Sequence, residues 1–335
     1  MSLFRSLLLW ASKNNILRRK LPELYFVRKA VKRFMPGEKL EDAIEAAKKL
    51  QQNNLDTVFT YLGENLTDIS EAESVKNHYV KVLQRISDEK LNTEISLKLT
   101  QLGLDLSFEK AVKHFEEIVL QANNLDNFVW IDMEGSSYTQ TTLDFYSKVS
   151  KNFTNCGLCL QAYLYRTKND VKKNLKINSS IRLVKGAYRE SSEIAFQKKS
   201  EVDKNYIDIA KILLERSKDS NPRIVFGTHD SKIINYVKEY AKKINIEKEK
   251  AEFHLLYGIQ TLEQEKLAGE GLHVKVLISY GEAWFPWYMR RLAERPANVW
   301  FVLKNIFSKL LRLILCFKIY FELSASFIIN LNFPV

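Results

Sequence analysis

Arg223-Ile224-Val225-Phe226-Gly227-Thr228-His229-Asp230 is a short apolar run that closes on three polar residues. A helical pattern follows over 231–243, and a second short apolar run, AEFHLLYG, occupies 251–258. Runs of this length bounded by turn residues, with an amphipathic segment between them, read as strand, helix, strand.

The same rhythm extends outward in both directions. Strand candidates stand at 55–63 (LDTVFTYLG), 94–102 (EISLKLTQL), 127–134 (NFVWIDME), 157–164 (GLCLQAYL), 180–188 (SIRLVKGAY) and 273–281 (HVKVLISYG). Helical patterns fill the gaps, for example 108–122, 203–216 and 286–303. Eight β–α units predict an α/β fold of the (β/α)8 TIM-barrel type. An open doubly wound sheet is the alternative, but no G-x-G-x-x-G follows the first run, so the dinucleotide-binding fingerprint is missing. Residues 1–50 read as N-terminal helices, with helical periodicity from Leu40 to Leu50 and a break at Pro36-Gly37. The organisation expected is a helical segment (1–50), a barrel (51–305) and an apolar tail (306–335).

The 335 residues suffice for one large domain. A net charge of +11 favours anionic partners. No motif that reads DNA or RNA accompanies it, so a nucleic-acid partner is not expected. Three cysteines, Cys156, Cys159 and Cys316, argue for a reducing compartment. Cys156 and Cys159 form a C-x-x-C inside a strand candidate, where residues three apart face opposite ways, so redox or zinc chemistry is not expected and no metal site is assigned. The N-terminus lacks a full signal-peptide pattern. Lys309–Val335 is rich in Leu, Ile and Phe but broken by Arg312, Lys318 and Glu322, and no stretch reaches the ~20 apolar residues of a membrane span.

Several strand candidates break their own apolar pattern. Lys98, Asp132, Gln161, Arg182, Lys185, Thr228, His229, Asp230 and His254 are polar interruptions. Each alone fits a polar residue satisfied inside the barrel; together they suggest polar groups around the C-terminal rim, where barrel chemistry resides. After the eighth strand comes WFPWYMRRLAERP (284–296). Pro286 suits a first helical position and Pro296 disfavours continuation past Arg295. Trp287, Arg290, Arg291 and Glu294 then share one face. Paired guanidiniums match a carboxylate or phosphate bidentately, which points to a barrel enzyme that holds an anion.

At the level of motifs the chain resembles the bacterial monofunctional proline dehydrogenases. MRRLAERP (289–296) resembles that family's double-arginine signature and RLVKGAY (182–188) its fifth strand. Ser96-Leu97-Lys98-Leu99, Ile131-Asp132-Met133-Glu134, Gln161-Ala162-Tyr163, Thr228-His229-Asp230 and Leu256-Tyr257-Gly258 match in family order. The resemblance implies a distorted barrel that holds FAD at its rim without a Rossmann fold. It further implies oxidation of L-proline to Δ1-pyrroline-5-carboxylate, with electrons passed to a membrane quinone. Lys98, Arg290 and Arg291 would bind the substrate carboxylate. Asp132 would order that basic cluster, Glu294 would support the arginine helix and Leu256 would cover the ring. Arg182 would lie near the flavin N5, and Gln161, Val184, Lys185, Gly186, Ala187, Tyr188, Thr228 and His229 would hold other parts of FAD. The location implied is cytoplasmic, with the apolar tail as a candidate peripheral contact on the inner face of the membrane.

Three positions depart from the family pattern. Leu277 stands where a pocket tyrosine is usual, Trp287 replaces a tyrosine, and His254 replaces a glutamine. They bear on the substrate, making a modified or N-substituted proline the alternative. Two further readings compete: a Schiff-base aldolase-type barrel using Lys98 or Lys185, and a diverged barrel that binds a membrane or partner without catalysis.

Overall fold

The computed structural model describes residues 31–63, 66–177, 179–218 and 223–294, with backbone alone for Glu249 and for 290–294. Residues 32–284 form one compact unit, and the described residues 31 and 285–294 belong to a second.

Helix α1 (Leu40–Gln51) precedes eight strands: β1 (Asp56–Tyr61), β2 (Thr93–Leu97), β3 (Val129–Ile131), β4 (Cys156–Gln161), β5 (Ser180–Val184), β6 (Ile224–Gly227), β7 (Glu252–Leu256) and β8 (Val274–Tyr280). They close into a parallel barrel in chain order. Closure rests on the β1–β8 ladder, which runs from Asp56↔Lys275 to Tyr61↔Tyr280 and removes the open-sheet alternative. The connections carry α2 (Ile69–Asp88), α3 (Phe108–Asn124), α4 (Ser136–Val149), α5 (Thr167–Leu175), α6 (Lys199–Arg216), α7 (Ser231–Lys243) and α8 (Thr261–Gly269). After β8 comes α9 (Trp284–Glu294).

Side-chain alternation sorts the strand residues into two populations. Phe59, Ile95, Val129, Ile131, Leu158, Ile181, Leu183, Ile224, Phe226, Phe253 and Ile278 join the apolar layer that also contains Val82, Phe115, Ile118, Leu213 and Val237 from the helices. The alternate positions face the barrel axis. There only Val58, Trp130 and Val225 form a small apolar cluster, with Phe128 and Leu277 against it. Gly157 makes room for this cluster: a Cβ there would fall 2.5 Å from the Trp130 ring.

The strands end sooner than the apolar runs suggest, mainly where the chain leaves for the rim. Run 94–102 splits into β2 and a 3-10 turn over Leu99–Leu102, because the Gln101 side chain accepts from the Lys98 N–H at 3.1 Å. Run 223–230 stops at Gly227, and the Asp230 carboxylate caps α7 by accepting from the Lys232 N–H at 3.2 Å. Helix α9 starts at Trp284, two residues earlier than expected, so Pro286 lies inside the first turn, where a missing N–H costs no intrahelical bond. The expected helices within 1–30, the helical pattern beyond 294, Cys316 and the apolar tail lie outside the described residues. Cys156 and Cys159 are buried in β4 as free thiols. Among the described residues, no helix is long and apolar enough to cross a membrane.

Candidate active site

The barrel axis is charged rather than apolar. In its N-terminal half, Arg223 grips Glu252 through Nε at 2.6 Å and through Nη2 at 2.5 Å, and pairs with Glu94 at 2.7 Å through Nη1. Lys275 lies 3.0 Å from the same Glu94, and Trp130 Nε1 donates to its other oxygen at 2.8 Å. Burial opposes ionisation of both glutamates. Lys275 and Arg223 nevertheless hold Glu94 below the usual carboxylate range, and His254 with Arg223 does the same for Glu252. Glu94, Glu252 and His254 bring possible metal-ligand atoms within 4.8 Å of one another, but an ammonium and a guanidinium already serve those carboxylates.

Above this layer lies Arg182, 2% exposed, on β5. Its Nη2 donates to the Asp132 carboxylate just past β3 and to Ser96 Oγ of β2 at 2.8 Å, and Ser96 Oγ donates to Asp132 at 2.9 Å. The guanidinium lies 5.1 Å from the Trp130 ring centroid, and its Nη1 is 3.5 Å from Nδ1 of His254. Burial works against the charge, but Asp132 raises the Arg182 pKa further, so the group stays cationic. Burial likewise pushes His254 down to about 4, and its neutral ring donates from Nε2 to Glu252 at 2.7 Å.

Polar residues expected at the rim therefore divide. Arg182 and His254 are buried at the axis, beneath the rim rather than on it. Gln161, Lys98, Asp132, Leu256 and the run 184–188 lie at or just past strand ends. Lys98 is half-buried at the start of the 3-10 turn. Val184, Lys185, Gly186, Ala187 and Tyr188 are all half-buried, following the buried Ile181–Leu183. Gly186 has φ +105, and a Cβ there would meet the Tyr163 ring at 2.2 Å. Gln161 Nε2 donates to the Met133 carbonyl at 3.2 Å, while its Oε1 is buried without a hydrogen-bond partner among the described residues. Thr228 Oγ1 accepts from the Asp230 N–H at 3.1 Å, and His229 Nε2 accepts from the Leu256 N–H at 3.1 Å, which fastens the β6 turn to β7.

Lys185 is held by Asp203 and Asp230, so one of the two lysines of the aldolase-type alternative is occupied. Leu277 is half-buried against the axial apolar cluster, and Trp287 is half-buried within α9. The side chains of Arg290, Arg291 and Glu294 lie outside the described residues, although α9 carries their backbone. Sequence reading missed Glu94, Ser96, Arg223, Glu252 and Lys275. Period two exposes them: Glu94, Ser96 and Lys98 alternate on β2 and its extension, as do Glu252, His254 and Leu256 on β7.

The closed eight-strand parallel barrel agrees with what comparison finds. A model of the family described as proline dehydrogenase matches residues 43–304. The chain belongs to the proline dehydrogenase family. It is 38% identical over 307 residues to proline dehydrogenase 1 of Bacillus subtilis strain 168, spanning 92% of this chain and all of that protein. It is 30% identical over 279 residues to proline dehydrogenase of Deinococcus radiodurans, spanning 82% of this chain and 89% of that protein. Among solved structures, it matches proline utilization A (PutA) from Bdellovibrio bacteriovorus inactivated by N-propargylglycine, with TM-score 0.75 and 25% identity over 87% of this chain. The chain spans 36% of that longer protein. It is a proline dehydrogenase, an oxidoreductase that acts on proline, and the aldolase-type and non-catalytic readings are set aside.

Proposed function

We propose that this proline dehydrogenase converts L-proline to Δ1-pyrroline-5-carboxylate with FAD held at the C-terminal rim and a membrane quinone as the electron acceptor. The observation that carries the reading is the buried Arg182 guanidinium, bonded to Asp132 and Ser96 below the half-buried run 184–188. The residues present fit a large planar cofactor with polar edges. Gln161 Oε1 is a buried acceptor without a partner among the described residues, and Gly186 keeps side-chain bulk off the backbone that follows β5.

Bound FAD would supply a two-electron, hydride-accepting oxidant. The protein's part is placement. Arg182, fixed and cationic, favours negative charge developing beside it. Lys98, Arg290 and Arg291 bind the substrate carboxylate, a role supported by the MRRLAERP motif and by Lys98 at the end of β2. Leu256 is half-buried at the end of β7, with its N–H held by His229, and shields the ring from water. Gln161, Val184, Lys185, Ala187, Tyr188, Thr228 and His229 line the cofactor. The quinone and a peripheral membrane contact are supported by the net charge of +11 and the apolar 306–335 tail.

The test is the visible spectrum of the purified protein with L-proline added. A yellow protein that is bleached by L-proline and releases FAD on denaturation supports the reading. A colourless protein that takes up no added FAD rejects it.

A further inference from the structure

We propose that His254 is a positioning residue for Arg182: anchored through Nε2 to Glu252, its imidazole offers Nδ1 as the acceptor that fixes the guanidinium's orientation. The proposal rests on the reading that Arg182 addresses the cofactor.

Asp132 and Ser96 both bond to Nη2 of Arg182, so those two bonds by themselves do not set the direction of Nη1. The second nitrogen, Nη1, reaches His254 Nδ1 at 3.5 Å. The imidazole is itself immobile. Its Nε2 is 2.7 Å from Glu252, its ring meets Trp130 edge-on at 5.6 Å, and Glu252 is gripped by both Arg223 nitrogens. A continuous chain thus runs along the axis from Arg223 through Glu252, His254 and Arg182 to Asp132.

Chemistry limits what can fill the middle position. The group must donate to a carboxylate on one side and accept from a guanidinium on the other. A neutral imidazole does both. An imidazolium would turn an N–H toward Arg182, and an aliphatic side chain would leave a buried donor and a buried acceptor unserved. A primary amide of similar reach meets the same requirement, which makes His254→Gln the conservative replacement and His254→Leu the disruptive one.

The experiment compares the wild type with His254→Gln, His254→Leu and His254→Asn, whose amide is too short to bridge both partners. The readouts are kcat and KM for L-proline, the midpoint potential of bound FAD, and imidazole 15N shifts of the wild type near neutral pH. His254→Leu and His254→Asn should lower kcat roughly tenfold with KM little changed, and shift the potential while FAD stays bound. His254→Gln should restore both. The 15N spectrum should show a neutral ring protonated at Nε2 and accepting at Nδ1. Unchanged kcat and potential in His254→Leu, or in His254→Asn should the leucine variant fail to fold, would overturn the proposal. So would a ring protonated at Nδ1. Failure of the wild type to take up FAD would sink the cofactor reading instead, while the 15N spectrum would still decide the His254–Arg182 contact.

Discussion

Arg182 on β5 and Asp132 just past β3 are ion-paired across the face of the intervening strand, with Ser96 of β2 bonded to both. Residues on or just past three strands, β2, β3 and β5, thereby meet at one buried cation. Removing the carboxylate leaves that cation buried without its counter-charge. Asp132→Ala should cost about 3–5 kcal/mol of stability, and Asp132→Asn, which keeps an acceptor, should cost less. Urea unfolding of the two variants checks this; equal midpoints for both and for the wild type would mean that Arg182 is satisfied elsewhere.

The axis also sets an acid limit. Burial depresses His254 to about 4, with Arg182 opposing protonation and Glu252 and Glu94 favouring it. An unfolded histidine titrates near 6.5, so between about 6.5 and 4 the unfolded chain binds the extra proton. His254 therefore contributes stability that is complete above roughly pH 6.5 and is lost as pH falls toward 4, on the order of 3 kcal/mol in all. Glu94 and Glu252, held below the ordinary range, add a further loss at lower pH. Urea midpoints at about pH 7.5 and about pH 5 should differ in the wild type and differ less in His254→Gln. Parallel behaviour of the two proteins would remove His254 as the cause.

Gly186→Ala tests the loop after β5. The new methyl meets the Tyr163 ring at 2.2 Å in a backbone conformation, φ +105, that alanine disfavours. A strain of roughly 1–3 kcal/mol is expected, with weaker FAD retention because the loop must move. Flavin released per mole of protein, read by fluorescence, should fall relative to the wild type.

Leu277 borders the axial apolar cluster of Val58, Trp130 and Val225 and brings no hydroxyl to it. With Leu277 proposed as a wall of the substrate pocket, L-proline should be oxidised with unusual tolerance for N-methylproline or other apolar analogues, since an apolar wall discriminates added methylenes by only about 1–3 kcal/mol. 4-Hydroxyproline should be poor. The ranking of kcat/KM across these substrates and pipecolate should change in Leu277→Tyr/Trp287→Tyr; identical rankings would exclude both positions from specificity.

Arg291→Met tests the proposed carboxylate-binding role of the arginine pair. Loss of one charge-assisted contact to a desolvated carboxylate costs roughly 2–5 kcal/mol. Turnover of L-proline should collapse while FAD remains bound, and near-normal kinetics would mark Arg291 as a surface residue.

The barrel was legible in the chain because strand and helix periodicities are local. Eight short apolar runs alternating with amphipathic segments leave few other ways to bury both faces of the strands. The motifs around Lys98, Asp132, Gln161, Arg182 and Thr228 pointed to the ends of successive strands for the same reason. Which polar residues share a network was not legible. Arg182, Ser96, Asp132 and His254 are 36 to 86 positions apart in the hydrogen bonds that join them, and only closure of β1 onto β8 brings the inward positions of all eight strands to one axis. Which of Glu94, Arg223, Glu252 and Lys275 pair with one another is decided by the tertiary structure alone. Each of those charges would be unfavourable in a buried strand by itself, and each is tolerated because barrel closure supplies its counter-charge within hydrogen-bond distance.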